Sequence, residues 1–353
     1  MDRRTAIRWL LSLPLGASAA TAGLRAVCAM GPDEELPSLN WPNRVFQTPI
    51  EKDDDRPPVV TAVDVHPVEP LLAAAGDDHH VYLWRLDDGR LVRRLEGHVD
   101  WVHTVAFSPG GKALATAGND RRVVFWDSAS GERLYLFDDH RHTVTRLAWR
   151  HDGARIAGTG FEDRLRIYDV ESRALVSELT CPSHDMRVVD YSADDRWLAA
   201  GGRDGVVRLW EAATGRHLLD YRAHRQRIRG LAFSPDNKFL ATSGEDRMVH
   251  VHGVEHDDEG FDLPRAGAKV LSLAFTGPHH LATGCSDNLI RVWDLKKLKL
   301  TGVLRGHQGS VASLAYRHET LVSGSYDTTV RAWSHAEAVA EQGPTPTRTT
   351  RRK

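Results

Sequence analysis

A hydroxyl, an imidazole and a carboxylate recur in this sequence at matched spacings. Thr116 stands four residues before Asp120 with His98 upstream, and Ser323 stands four before Asp327 with His307 upstream. Such a set could supply a nucleophile, a base and an orienting acid. A second grouping, Asp77-Asp78-His79-His80, places possible metal ligands side by side. Against it, His79 and His80 point to opposite sides of a strand start. A third, the acidic run Glu255–Asp262, lacks the ligand spacing and the glycine of a calcium loop and reads as a solvated insertion. No Gly-rich phosphate loop, HExxH, GxSxG or CxxCH motif is present.

The elements that must carry these residues are short strands. In the stretch Gly97–His140, the alternating runs Val102–Phe107 and Ala113–Ala117 flank a Pro109-Gly110-Gly111 turn. Runs at Val123–Trp126 and Arg133–Phe137 follow, each after a polar turn. Four such strands make one small antiparallel sheet, which cannot bury both faces alone, so neighbours must stack on it. The residue ending the third strand recurs as Trp84, Trp126, Tyr168, Trp210, His252, Trp293 and Trp333, at intervals of 42, 42, 42, 42, 41 and 40 residues. Six positions before each stands an acid: Asp78, Asp120, Glu162, Asp204, Asp246, Asp287 and Asp327. A turn acid repeated at structural spacing argues that the hydroxyl–imidazole–carboxylate sets are staples and not nucleophiles.

From about Val45 to Ser334 the sequence resembles the WD-repeat β-propeller family. The resemblance implies an all-β fold, a seven-bladed β-propeller of four-stranded antiparallel blades. In that family a Gly-His, a strand-two Ser or Thr, the turn Asp and the strand-three Trp form a buried hydrogen-bonded tetrad. His98, Thr116, Asp120 and Trp126 match every position, as do His307, Ser323, Asp327 and Trp333. Blade five has His224, Thr242 and Asp246 but His252 for Trp, and blade three has His140 with Gly158, Glu162 and Tyr168. Blades one, four and six show Arg56, Pro182 and Ala266 near the His position. The expectation for these five is support by packing more than by tetrads. No fourth strand follows Trp333, so Val45–Ile50 is expected to close the ring as the outer strand of the last blade, with Pro49 tolerated at its free edge.

Composition is that of a soluble globular chain, 41% hydrophobic and 27% charged. Net charge is −2, and the first 29 residues carry four Arg and one Asp, leaving −5 on the remainder. Neither value fits general nucleic-acid binding. Residues 1–29 have the basic start, apolar run and small residues of a signal peptide, with Arg3-Arg4 resembling a bacterial twin-arginine export signal. The mature chain is then expected to be exported, in the periplasm, without a membrane span; a signal-anchored or a cytoplasmic form is the alternative. Residues 30–43 read as a linker, 44–335 as the propeller and 336–353 as a disordered basic tail. Three cysteines give neither a disulfide framework nor a zinc site.

Binding chemistry is expected on the rim. In the register that the resemblance supplies, Arg187, Arg203, Arg227, Arg229 and Lys269 cluster on blades four to six, flanked by Trp101, His103, Phe161 and Tyr326. Arginine beside large aromatics is the composition of interface hot spots. The competing reading is a solvated rim in which Asp185 and Glu245 pair some of the arginines. The expected function is a non-enzymatic protein-interaction scaffold without cofactor or metal, a monomeric propeller within a complex. Its partner would be a protein or peptide carrying an acidic segment. The alternatives are a hydrolase or lyase site in the central channel, or a structural subunit of a cell-envelope assembly.

Overall fold

The computed structural model describes residues 36–49, 57–183, 185–255 and 260–335. They form seven four-stranded antiparallel sheets arranged as blades, with no helix among them. Six blades run consecutively outward from an inner to an outer strand. The seventh takes its three inner strands from the end of the chain and its outer strand, Asn43–Gln47, from the start.

Small residues make the ring possible. The second strands read LLAAAG, ALATAG, RIAGTG, WLAAGG, FLATSG, HLATGC and TLVSGS, and almost every position in them is buried. Near the axis neighbouring blades approach closely, and only small side chains fit in alternate positions. The limit is reached at Gly201 of blade four, where a Cβ would lie 2.8 Å from Ile228 Cδ1 of blade five. Further out the third strands carry the bulk: Trp126, Tyr168, Trp210, Trp293 and Trp333 are buried between sheets. The apolar core is therefore not one mass. It is seven layers, one at each blade–blade interface, and the layer of Phe46, Val60, Val63, Trp84, Val322 and Val330 joins the last blade to the first.

The closing strand pairs Val45 with Arg331 and Phe46 with Val330, and Phe46 enters the core. Relative to the expected Val45–Ile50 it starts two residues earlier and stops at Gln47. Pro49 has no N–H to give the ladder and stands outside it, and Ile50 lies outside the described residues. The end of the expected linker is also structured. Pro37 and Leu39 exchange backbone hydrogen bonds with Val303 on the outer strand of blade six, and Leu39 and Trp41 pack on the layer between blades six and seven. The first 29 residues, residues 30–35 of the linker and the tail 336–353 lie outside the described residues. No helix among the described residues is long and apolar enough to cross a membrane.

Candidate functional site

The two complete tetrads have one geometry. In blade two His98 Nδ1 lies 2.7 Å from Asp120 Oδ2, His98 Nε2 lies 2.7 Å from Thr116 Oγ1, and Trp126 Nε1 donates to that hydroxyl at 2.8 Å. In blade seven the matching distances through His307, Asp327, Ser323 and Trp333 are 2.8, 2.7 and 2.9 Å. With Nδ1–H donated to the carboxylate, Nε2 accepts from the hydroxyl and the hydroxyl accepts from the indole. Burial acts to raise the Asp120 pKa, but the His98 hydrogen bond and backbone amides outweigh it and the net shift is downward. Thr116 and Ser323 are sealed from solvent, so no substrate reaches either hydroxyl. These groups hold strands together.

None of the other five blades forms the full tetrad, but polar pairs add to the packing in each. In four of them the turn acid meets the side chain four residues later. Tyr82 donates to Asp78 at 2.6 Å in blade one, and Arg291 grips Asp287 through both nitrogens at 2.6 and 3.1 Å in blade six. Arg208 pairs with Asp204 in blade four. Blade three joins Arg166, Glu162, His140 and Tyr168 in one network, and His140, 3.6 Å from Glu162, together with the backbone N–H groups of Arg141 and His142 lowers Glu162 to about 2 against the opposing effect of burial. In blade five His224 bonds Asp246 and Thr242, but His252 Nε2 is buried with no hydrogen-bond partner among the described residues. A basic or phenolic side chain at that offset was legible in the sequence, since the third strand starts there and its direction is fixed by the turn.

The inner strands surround a central channel whose upper mouth is a cavity of about 610 Å³. Of the sequence-predicted rim residues, Trp101, His103, Arg187, Arg229, Lys269 and Tyr326 line it, whereas Phe161, Arg203 and Arg227 do not. Phe161 is coupled to it, because the Arg187 guanidinium lies 4.4 Å from its ring centroid. Arg227 reaches Asp185 at 3.1 Å and Glu245 at 3.3 Å. Glu245 also takes Arg229, and Lys269 stands 3.8 Å away. The internal pairing weighed from sequence is thus present, and it organises the cations without cancelling them. Burial opposes ionisation of Glu245, yet Arg229, Arg227 and Lys269 together lower its pKa. Arg187 shows the reverse balance: burial depresses its pKa, with Arg229 and Arg227 adding to that. Arg203 is exposed, and no ion pair engages it among the described residues. Trp101 and Tyr326 are 44% and 51% exposed, large apolar surfaces left open at the mouth.

Sequence reasoning missed Arg146, which lines the cavity from blade three. Its signal was the repeat itself, for the equivalent inner-strand positions hold Ala62, Thr104, Val188, Gly230, Ser272 and Ser313. Val188, Leu231, Leu271 and Leu273 add apolar lining, and Trp101 and Tyr326 on blades two and seven give the cavity a greasy side away from the arginines of blades four and five. Of the metal candidates raised by the sequence, His79 sits in a left-handed turn and His80 leans on Asp78, and no three-ligand group forms there among the described residues. Cys181 and Cys285 are buried, and burial pushes their thiols up to about 12 and about 11. Neither is a nucleophile.

Seven segments, residues 52–85, 89–127, 131–169, 174–211, 215–252, 263–294 and 298–334, match the family model described as WD domain, G-beta repeat. Mitochondrial division protein 1 of Schizosaccharomyces pombe is 39% identical over 66 residues, covering 18% of this chain and 10% of that protein. Cell division control protein 4 of Saccharomyces cerevisiae is 46% identical over 56 residues, 16% of this chain and 7% of that protein. The U3 snoRNP-associated protein-like EMB2271 of Arabidopsis thaliana is 32% identical over 85 residues, 24% and 18% of the two chains. The matches span less than a fifth of these relatives' own length. All three are eukaryotic proteins, which weakens the bacterial part of the leader's reading.

Proposed function

We infer, because the chain belongs to the WD domain, G-beta repeat family, that it is a non-enzymatic scaffold whose upper mouth holds a segment of a partner protein. The observation that carries this reading is the mouth cavity, where Arg146, Arg187, Arg229 and Lys269 on blades three to six share one opening with Trp101 and Tyr326 on blades two and seven. Crowded, partly desolvated guanidinium groups gain from an incoming carboxylate, which Arg holds by paired N–H bonds. An aromatic or aliphatic anchor then fills the greasy side and supplies most of the affinity. The segment is therefore acidic with an apolar anchor, and a single propeller binds it within a larger complex.

A panel of peptides combining Asp or Glu with Leu, Phe or Trp tests this by fluorescence polarisation. Binding is expected to weaken with added salt, with Arg229→Glu and with Trp101→Ala. A partner segment indifferent to both substitutions places the interface on another face. For the leader, the basic start and apolar run support export, with a mature form beginning near Met30. Fractionation of the native host tests that proposal: loss of export is expected when Arg3 and Arg4 become Lys, and a full-length protein confined to cytosol overturns it.

A further inference from the structure

The geometry points to a site for a zinc-class divalent transition metal in blade five, built from His224, Asp246 and His250. Their candidate ligand atoms all lie within 4.8 Å of one another. Ligand bonds of about 2.0–2.2 Å in a tetrahedral site put neighbouring donors about 3.3–3.5 Å apart, so small side-chain rotations bring the set to bonding distance. His224 Nδ1 and Asp246 Oδ1 are already 2.9 Å apart, separated by the proton that a metal would displace.

What distinguishes this cluster from a chance grouping is the support behind each ligand. A metal-bound His characteristically donates its other N–H to a carboxylate or another acceptor, which fixes the tautomer and the ring. His250 Nδ1 is bonded to Asp262, which leaves Nε2 as the nitrogen able to bind. His224 Nε2 is held 3.0 Å from Thr242 Oγ1, and Asp246 is oriented by the backbone N–H groups of Arg225 and Met248. Blades two and seven have the same His–Asp pair but Val124 and Arg331 where blade five has His250, so neither offers a third ligand. His252 adds a further donor nearby, its ring centroid 6.1 Å from that of His250 and its Nε2 without a hydrogen-bond partner among the described residues. Two imidazoles with one carboxylate favour zinc-class ions over magnesium or calcium, which take all-oxygen shells. His250 is only partly buried, which gives an ion a way in.

The test uses tag-free full-length protein, stripped with chelator and titrated with Zn²⁺ by calorimetry and with Co²⁺ by visible absorption. One saturable equivalent is expected, with the intense d–d bands of a tetrahedral cobalt site, and binding that tightens as pH rises because a proton leaves. His250→Ala and His250→Gln should each abolish it with the apo fold intact by circular dichroism. Asp262→Asn should weaken it by about 10–100-fold, while a His79→Ala, His80→Ala double variant should leave it unchanged. Absence of a saturable equivalent overturns the proposal, as does binding that survives both His250 substitutions or is lost on changing His79 and His80.

Discussion

The turn acids are the residues on which each blade's stability hangs, and their partners decide the size of the effect. Asp120→Ala leaves the buried His98 N–H without an acceptor, a loss of about 1–3 kcal/mol in urea unfolding. Sequence reasoning expects Asp204→Ala to cost less, since blade four has no His. In the structure Asp204 pairs with Arg208, which is itself buried, so the opposite order is expected. The expected cost matches or exceeds that of Asp120→Ala, and adding Arg208→Met should return part of it, as removing both halves of a buried ion pair often does. A markedly smaller loss for Asp204→Ala than for Asp120→Ala would count against this role. His252 provides the second residue-scale prediction. Burial, reinforced by the neighbouring His250, holds its pKa at about 4. Its folded pKa lies below the ordinary histidine value, so the unfolded chain binds the extra proton first. Stability from this group is complete above about pH 6.5 and declines as pH falls toward 4, by on the order of 3 kcal/mol. His252→Trp removes the titration and gives Thr242 an indole donor as in blades two, six and seven, so it should raise stability and flatten the curve between about pH 4 and 6.5. An unchanged acid limb after that substitution would show that the loss arises elsewhere.

Strands were legible where the repeat enforced them and obscure where it lapsed. Alternation and the 40–42 residue period located the inner, second and third strands of all seven blades, because those strands are buried on both sides and tolerate little change. Outer strands face solvent, so their sequences carry less constraint. Blade five's outer strand is only Phe261–Asp262, at the end of a run that reads as an acidic insertion. Its weak pairing should show as the fastest amide exchange of any outer strand. The closing strand was found by counting, since three strands remained at one end and a spare at the other. Its bounds were not, because exposed edge positions such as Asn43 and Gln47 fit a strand or a loop equally well. Deleting residues 43–47 removes Phe46 from the layer joining blades seven and one and bares the backbone edge of Thr329–Ser334. Scanning calorimetry should then show a lower and broader transition, with Phe46→Ala alone costing about 3–5 kcal/mol. A deletion variant that melts like the intact chain would mean that the ring does not need this closure.

At the scale of the whole molecule, the ring does for the mouth what no single blade could. Positions far apart in sequence, Trp101, Arg187, Arg229 and Tyr326, meet around one cavity because each sits at a similar height on its own blade. The repeat register made that convergence readable from sequence. The pairing of Asp185 and Glu245 with the arginines was visible only as a possibility, since it depends on side-chain reach across blades. Arg146 escaped because it occupies a position that is small or apolar elsewhere. The pairing shapes the last prediction. Glu245 ties down Arg229, so reversing Arg229 to Glu sets two acids against each other and turns the most crowded part of the rim from attractive to repulsive for an acidic segment. Long-range charge acts on encounter, so the variant should associate more slowly and lose much of the salt dependence of its on-rate, with a smaller change in off-rate. Trp101 bears no charge and is nearly half exposed until a partner covers it. Its truncation should leave encounter unchanged and speed dissociation, by about tenfold for each 1.4 kcal/mol of lost contact. Trp101 does not lie between blades, so its truncation should not shift the melting temperature appreciably. Stopped-flow binding at two salt concentrations separates the two effects. If Arg229→Glu and Trp101→Ala alter the same rate constant to the same degree, the mouth does not divide into a steering side and an anchoring side, and the mode of recognition argued from it is wrong.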